Sequence, residues 1–226
     1  MSKNKLQKFA DMETFERVFQ PKMDEFRDKN YELKGSWGEK VFGNKNPIVL
    51  ELGCGKGEYA VGMGRKYPNK NFIGIDIKGA RIWAGAQMAN REKLENVAFV
   101  RTNIDFVQHF FDRNEVDEIW LTFSDPQPKK PQKRLSSSEF VARYRQFLKP
   151  EGIVHLKTDN TLLYESTLEE IEEHNYKMLI SSNNIYEKDW DIFDSEIQEL
   201  LTIKTHYETL FANKGFKIKY CAFEIH

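Results

Sequence analysis

The sequence predicts an α/β fold: a doubly wound, mainly parallel sheet with helices on both faces. Two observations carry that expectation. From residue 47 onward, short apolar runs alternate with segments of helical character, the signature of βαβ units. Runs such as Ile48-Val49-Leu50-Glu51-Leu52 and Glu118-Ile119-Trp120-Leu121-Thr122-Phe123 are also apolar almost without alternation, as strands covered on both faces are. Residues 1–46 read differently, as an N-terminal helical arm on a domain spanning 47–226.

In the arm, Met12, Phe15, Phe19, Met23 and Phe26 recur at steps of three and four, which predicts a helical face that Pro21 must end or bend. Seven strands are then expected, at 48–52, 71–76, 97–103, 117–123, 152–159, 176–184 and 216–225. Helical segments are expected at 57–67, 78–92, 105–112, 137–148 and 160–174. There is no internal repeat and no low-complexity tract.

Composition narrows the class. The 226 residues are enough for one domain with a full core, and a hydrophobic fraction of 40% is ordinary for a soluble protein. Cys54 and Cys221 form neither a CxxC pair nor a disulfide framework, so a reduced, cytoplasmic setting and no bound metal are expected. The N-terminus lacks an apolar core of the signal-peptide kind, and no run approaches the roughly 20 apolar residues that span a bilayer. With a formal net charge of −1, any polyanionic partner must be met by a local patch. Glu165, Glu169, Glu170, Glu172 and Glu173 crowd one helix, and six acids face Lys188 alone in 187–199. These read as solvated faces that would also turn a polyanion toward basic surface elsewhere.

The turn after the first strand reads Glu51-Leu52-Gly53-Cys54-Gly55-Lys56-Gly57. Alternating glycines permit φ > 0 and close approach of backbone to a ligand at the start of a helix. The spacing is neither GxGxxG nor a P-loop. Asp76 closes the second strand, where doubly wound folds place an acid on a ribose hydroxyl pair. Glu51 sets a negative charge where a pyrophosphate would be repelled and a cation welcomed. S-adenosylmethionine has the ribose, an ammonium and a sulfonium, so the charge signs favour it over NAD. Asn103, ending the third strand, is placed to read an adenine edge or to serve as a turn asparagine. Cys54 reads as a small turn residue, not as a nucleophile.

The fourth strand runs into Ser124-Asp125-Pro126-Gln127-Pro128-Lys129-Lys130-Pro131-Gln132-Lys133-Arg134. From Pro126 to Ser138 there are three prolines, four basic residues and no acid. Either the segment is a solvated connection, or its charges meet phosphates from the carboxyl edge of the sheet, where such folds bind ligands.

The glycine turn, IGID and TNID together resemble the class I S-adenosylmethionine-dependent methyltransferases, which implies a seven-stranded sheet whose last strand, here FKIKYCAFEI, inserts antiparallel at the edge. Asp125-Pro126 with its basic sequel, Lys157-Thr158-Asp159, and Thr205-His206-Tyr207-Glu208 resemble the tRNA (guanine-N7-)-methyltransferase family over roughly residues 48–225. Ser124 and Gln127 stand where that family has proline and tryptophan, and the Arg-His pair of its basic segment is missing. The resemblance implies methyl transfer from S-adenosylmethionine to N7 of a guanine in the tRNA variable loop (m7G46). It implies a catalytic Asp125, a cofactor site of Glu51, Gly53, Gly55, Asp76, Asn103 and Asp125, and tRNA contacts from Lys129, Asp159, Thr205, Tyr207 and Glu208.

The chemistry is compatible with these residues. Guanine N7 carries a free lone pair on the major-groove edge, so its attack on a methyl carbon needs no general base. Alignment and a fixed carboxylate near the charge appearing on the ring are sufficient roles for the protein. Guanine's N1–H and exocyclic amine suit a carboxylate such as Glu208 or Asp159. Thr205 and Glu208 also have capping-box spacing, and that reading stays open beside base contact. The alternatives are methylation of another RNA nucleotide and a non-catalytic RNA-binding protein. Monomer and homodimer are equally open.

Overall fold

Each run expected as a strand takes its place in one sheet, seen in a computed structural model that describes residues 3–186, 190–205, 208 and 215–226. Its strands are β1 (Val18–Phe19), β2 (Ile48–Leu52), β3 (Asn71–Asp76), β4 (Val97–Arg101), β5 (Val116–Thr122), β6 (Leu148–Thr158), β7 (Lys177–Ser182) and β8 (Lys219–Glu224). Their spatial order is β1-β4-β3-β2-β5-β6-β8-β7. All pairs are parallel except those of β8, which runs antiparallel between β6 and β7. The expected seven strands are therefore present, with the last inserted one place in from the edge.

The eighth strand comes from the arm and corrects the reading of its periodicity. Helix α1 (Lys3–Glu13) stops well short of Pro21, and Phe19 lies in β1, where Val18 and Phe19 pair with Phe99 and Val100. The Phe99 amide donates to the Arg17 carbonyl at 2.8 Å, so a free sheet edge captured this backbone. Phe26, Tyr31, Leu33, Trp37 and Phe42 follow into the core, and the Trp37 indole donates to the Phe110 carbonyl at 2.8 Å.

Helices α2 (Glu58–Lys66), α3 (Gly79–Glu92), α4 (Ser138–Tyr144) and α5 (Thr161–Glu173) match expectation. Residues Ile104–His109 form a 3-10 helix, and α6 (Ser195–Leu201) was not anticipated. Strand alternation divides the interior into two layers. Leu50, Ile73, Val100 and Leu156 join Phe140 of α4 and Leu163 of α5, whereas Val49, Phe72, Phe99 and Trp120 join Val61 of α2, Ile82 of α3 and Leu201 of α6. Both faces are covered, which is why the strands read as apolar runs. No helix of the described residues is long and apolar enough to cross a membrane.

Close packing at the start of α2 demands glycine. Gly57 has φ +68°, and a Cβ there would sit 2.5 Å from the Phe99 ring and 3.2 Å from Gly85 Cα. Gly57→Ala is expected to lower stability by about 2–4 kcal/mol through combined backbone strain and overpacking, read from urea unfolding midpoints. A change below about 0.5 kcal/mol would show that α2 shifts freely on the sheet.

Candidate active site

The sheet order reverses between β2 and β5, the place where a doubly wound fold opens a crevice at the carboxyl ends of its strands. A cleft of about 650 Å³ occupies it. Glu51, Gly53, Gly55, Asp76, Asp125, Asp159 and Thr205 all line it.

On one wall, Gly53 and Gly55 take φ +78° and +54°, conformations that favour glycine, and a Cβ at Gly55 would meet only the Gly53 carbonyl oxygen, at 4.0 Å. Asp76 organises this turn: its carboxylate accepts the Gly55 N–H at 3.0 Å and the Lys78 N–H at 2.7 Å. Glu51 is buried beneath it. One oxygen accepts the Thr122 hydroxyl at 2.6 Å, and the other accepts the Ala60 N–H at 2.9 Å. Burial raises its carboxyl pKa to about 8, with Asp76 adding to the rise. Cys54 is also buried and its pKa is raised by desolvation, consistent with a small turn residue and unlike a reactive thiol.

The facing wall is the segment after β5. Phe123 (φ +49°) and Gln127 (φ +42°) hold left-handed conformations on either side of Asp125. Strain at non-glycine residues persists only where surroundings impose it. Here the Phe123 N–H donates to the Lys157 carbonyl at 2.8 Å, Asp125 accepts the Gln127 N–H at 3.0 Å, and the Arg134 guanidinium donates to the Pro126 carbonyl at 2.9 Å. Asp125 itself is exposed at the cleft mouth.

Other predicted site residues lie elsewhere. Asn103 is outside the cleft lining; its side-chain oxygen accepts the Asp105 N–H at 3.2 Å as cap of the 3-10 helix, which realises the turn-asparagine alternative. Lys129 is exposed on the turn beyond the cleft. Lys133 lines the cleft and pairs with Asp105 at 3.2 Å, whereas Arg134 is turned inward as a brace. Glu208 is buried, its carboxylate taken by Lys157 and Tyr186, and does not line the cleft. Its N–H donates to the Thr205 hydroxyl at 3.1 Å, one half of a capping box. Tyr207 lies outside the described residues.

Lys56, Lys78 and Arg81, which no motif in the sequence marks as site residues, add positive charge to the cleft lining. Their positions in the connections after β2 and β3, Arg81 in the first turn of α3, were the available signal. Ser124, a departure from the family's proline, has its hydroxyl buried in the cleft lining with no partner among the described residues.

The donor set suits a cationic nucleoside ligand: a buried acid under a glycine cradle, a second acid at a strand end, and an unpartnered hydroxyl. Fold and cleft together define a class I methyltransferase. A family model described as "Putative methyltransferase" matches residues 45–221. A "tRNA (guanine-N(7)-)-methyltransferase" of Bacteroides thetaiotaomicron is 47% identical over 225 residues, covering 100% of this chain and 87% of its own. One of the same name from Christiangramia forsetii is 47% identical over 226 residues, covering 99% of each. The chain belongs to the tRNA (guanine-N7-)-methyltransferase family. Among solved structures, 16S rRNA methyltransferase KamB shares the fold at TM-score 0.62 and 13% identity, over 85% of this chain and 94% of the other.

With its pKa near 8, Glu51 is protonated in the free protein at neutral pH. A cation seated beside it favours the carboxylate, so binding releases a proton below pH 8 and affinity rises as pH climbs toward 8. Calorimetry with S-adenosylmethionine at pH 7 in buffers of different ionisation enthalpy should read a release of up to about one proton, lost in Glu51→Gln. Buffer-independent heats in the unsubstituted protein would refute this coupling.

Proposed function

We propose that this protein transfers a methyl group from S-adenosylmethionine to N7 of a guanine in the variable loop of tRNA, in the cytoplasm. The observation that carries the reading is a single cleft with a glycine cradle and acids on one wall and Asp125 with a basic loop on the other. The names of the relatives supply the substrate class. Residues 47–226 would form the methyltransferase domain, with 1–46 as an arm that completes its core.

When bound, S-adenosylmethionine supplies an electrophilic methyl group on a sulfonium. Asp76 would hold the ribose hydroxyls and Glu51 the cationic end, while Gly53 and Gly55 leave room for backbone contact. Asp125 stands at the mouth of the cleft, where a fixed carboxylate lowers the energy of positive charge arriving on the guanine ring. The N7 lone pair attacks directly, so no side chain need take a proton. Among the described residues Lys129 and Lys130 have no ion-pair partner, which leaves both for phosphates.

The deciding experiment incubates the protein with labelled S-adenosylmethionine and unmodified tRNA, then identifies the labelled nucleoside. The expected product is 7-methylguanosine; label in any other nucleoside defeats the proposal. Asp125→Ala should reduce turnover by about 10²-fold or more with a normal melting temperature, and near-unchanged turnover would remove its role. Lys129→Ala should weaken tRNA binding and reduce the slope of log affinity against log salt by about one; an unaltered slope would exclude a phosphate contact.

A further inference from the structure

Lys157, near the end of β6, has a fully buried ammonium. It donates to the Leu201 carbonyl at 2.8 Å, the Ile203 carbonyl at 3.0 Å and the Glu208 carboxylate at 2.8 Å, which uses all three of its N–H bonds. The other Glu208 oxygen accepts the Tyr186 hydroxyl. Such a pair is anchored twice over: each charge has lost water, the ammonium has all three donors used, and each carboxylate oxygen accepts a hydrogen bond.

The placement of this pair matters more than its strength. Thr205, on the cleft, lies between two points held by the Lys157 ammonium, Ile203 and Glu208, and its hydroxyl meets the Glu208 N–H. Two residues beyond Lys157 along the chain is Asp159, also on the cleft. The Lys157 carbonyl holds the Phe123 N–H, at the root of the Asp125 segment. One residue thus spaces three parts of the cleft wall.

We propose that Lys157 and Glu208 are a positioning pair that sets the substrate wall of the cleft, and that Glu208 influences the base through this pair instead of touching it. The inference rests on the function proposed above and deepens it, because it leaves Asp159 as the cleft-lining carboxylate for guanine's N1–H and amino group. Burial raises the Asp159 pKa, as partial withdrawal from water does for an acid on a cleft wall.

The test compares Glu208→Gln, Lys157→Met, the double variant and Asp159→Asn on tRNA carrying guanine or inosine at the acceptor position. Inosine keeps N7 and N1–H but lacks the exocyclic amine. A positioning pair predicts that Glu208→Gln raises KM for tRNA about tenfold, with S-adenosylmethionine affinity kept and the guanine-to-inosine ratio of kcat/KM unchanged. It also predicts that Asp159→Asn compresses that ratio. A compressed ratio in Glu208→Gln would mean direct contact and overturn the proposal. Single charge removals can unfold a buried pair, so urea midpoints of the four proteins in the Lys157/Glu208 cycle, without tRNA, give a second reading. Coupling predicts that the double variant loses less than the two singles combined, and additive losses would overturn the pair. If the unsubstituted protein methylates no tRNA, the functional reading falls alone, since the stability cycle still judges the pair.

Discussion

The carboxylate of Glu51 is the interaction on which the cleft depends. It closes β2, accepts the Thr122 hydroxyl from β5 and accepts the Ala60 N–H from the first turn of α2. Those three elements meet where strand order reverses, so one side chain bridges the seam from which the crevice opens. A charge at that depth costs several kcal/mol to desolvate, which the free protein avoids by raising the pKa and retaining a proton. Removing that proton takes part of the binding energy of an arriving cation below pH 8, so in the proposed complex the residue that joins the sheet halves would also favour positive charge between them.

Much of the architecture was legible because both faces of the sheet are covered, and burial on both faces writes itself as unbroken apolar runs. Helix α5 starts where its segment was expected, with Asn160 accepting the Leu163 amide at 2.9 Å, whereas α6, capped by Asp194 on the Ile197 amide at 2.8 Å, lies in a run of acids that reads only as a solvated face. The arm misled for a specific reason. A spacing of three and four records which residues are buried, not which backbone buries them, and β1 needs only two residues to satisfy an open edge. Hydrogen bonding to Phe99 and Val100, remote in sequence, overrode the local pattern.

Within the site, the glycines and the acids at strand ends could be read because backbone geometry dictates them locally. Glu208 could not be placed in that way. Whether a carboxylate reaches a base or an ammonium depends on where Lys157 lies, 51 residues away along the chain. Asn103 differs again, since its cap to Asp105 is local and was an open alternative from the outset. The basic loop divides by the same logic: Arg134 braces Pro126 from within, Lys133 pairs across to Asp105, and the exposed Lys129 and Lys130 remain for a partner in solution.

The charge pattern that results is layered. Acids sit deep in the cleft and at its strand ends, whereas Lys56, Lys78, Arg81 and Lys133 line it and Lys129 and Lys130 lie beyond its mouth. A polyanion is drawn to the outer charges, while Asp76, joined by Glu51 once it loses its proton, opposes anionic charge inside, and a compact cation is repelled at the rim only weakly because water screens charges there. Depth therefore sorts the two ligands by sign before shape is consulted. Asp125 stands exposed on the boundary between the layers. In the proposed reaction its effect on developing positive charge would grow as water leaves, which would tie catalysis to the seating of the base and not to cofactor binding alone.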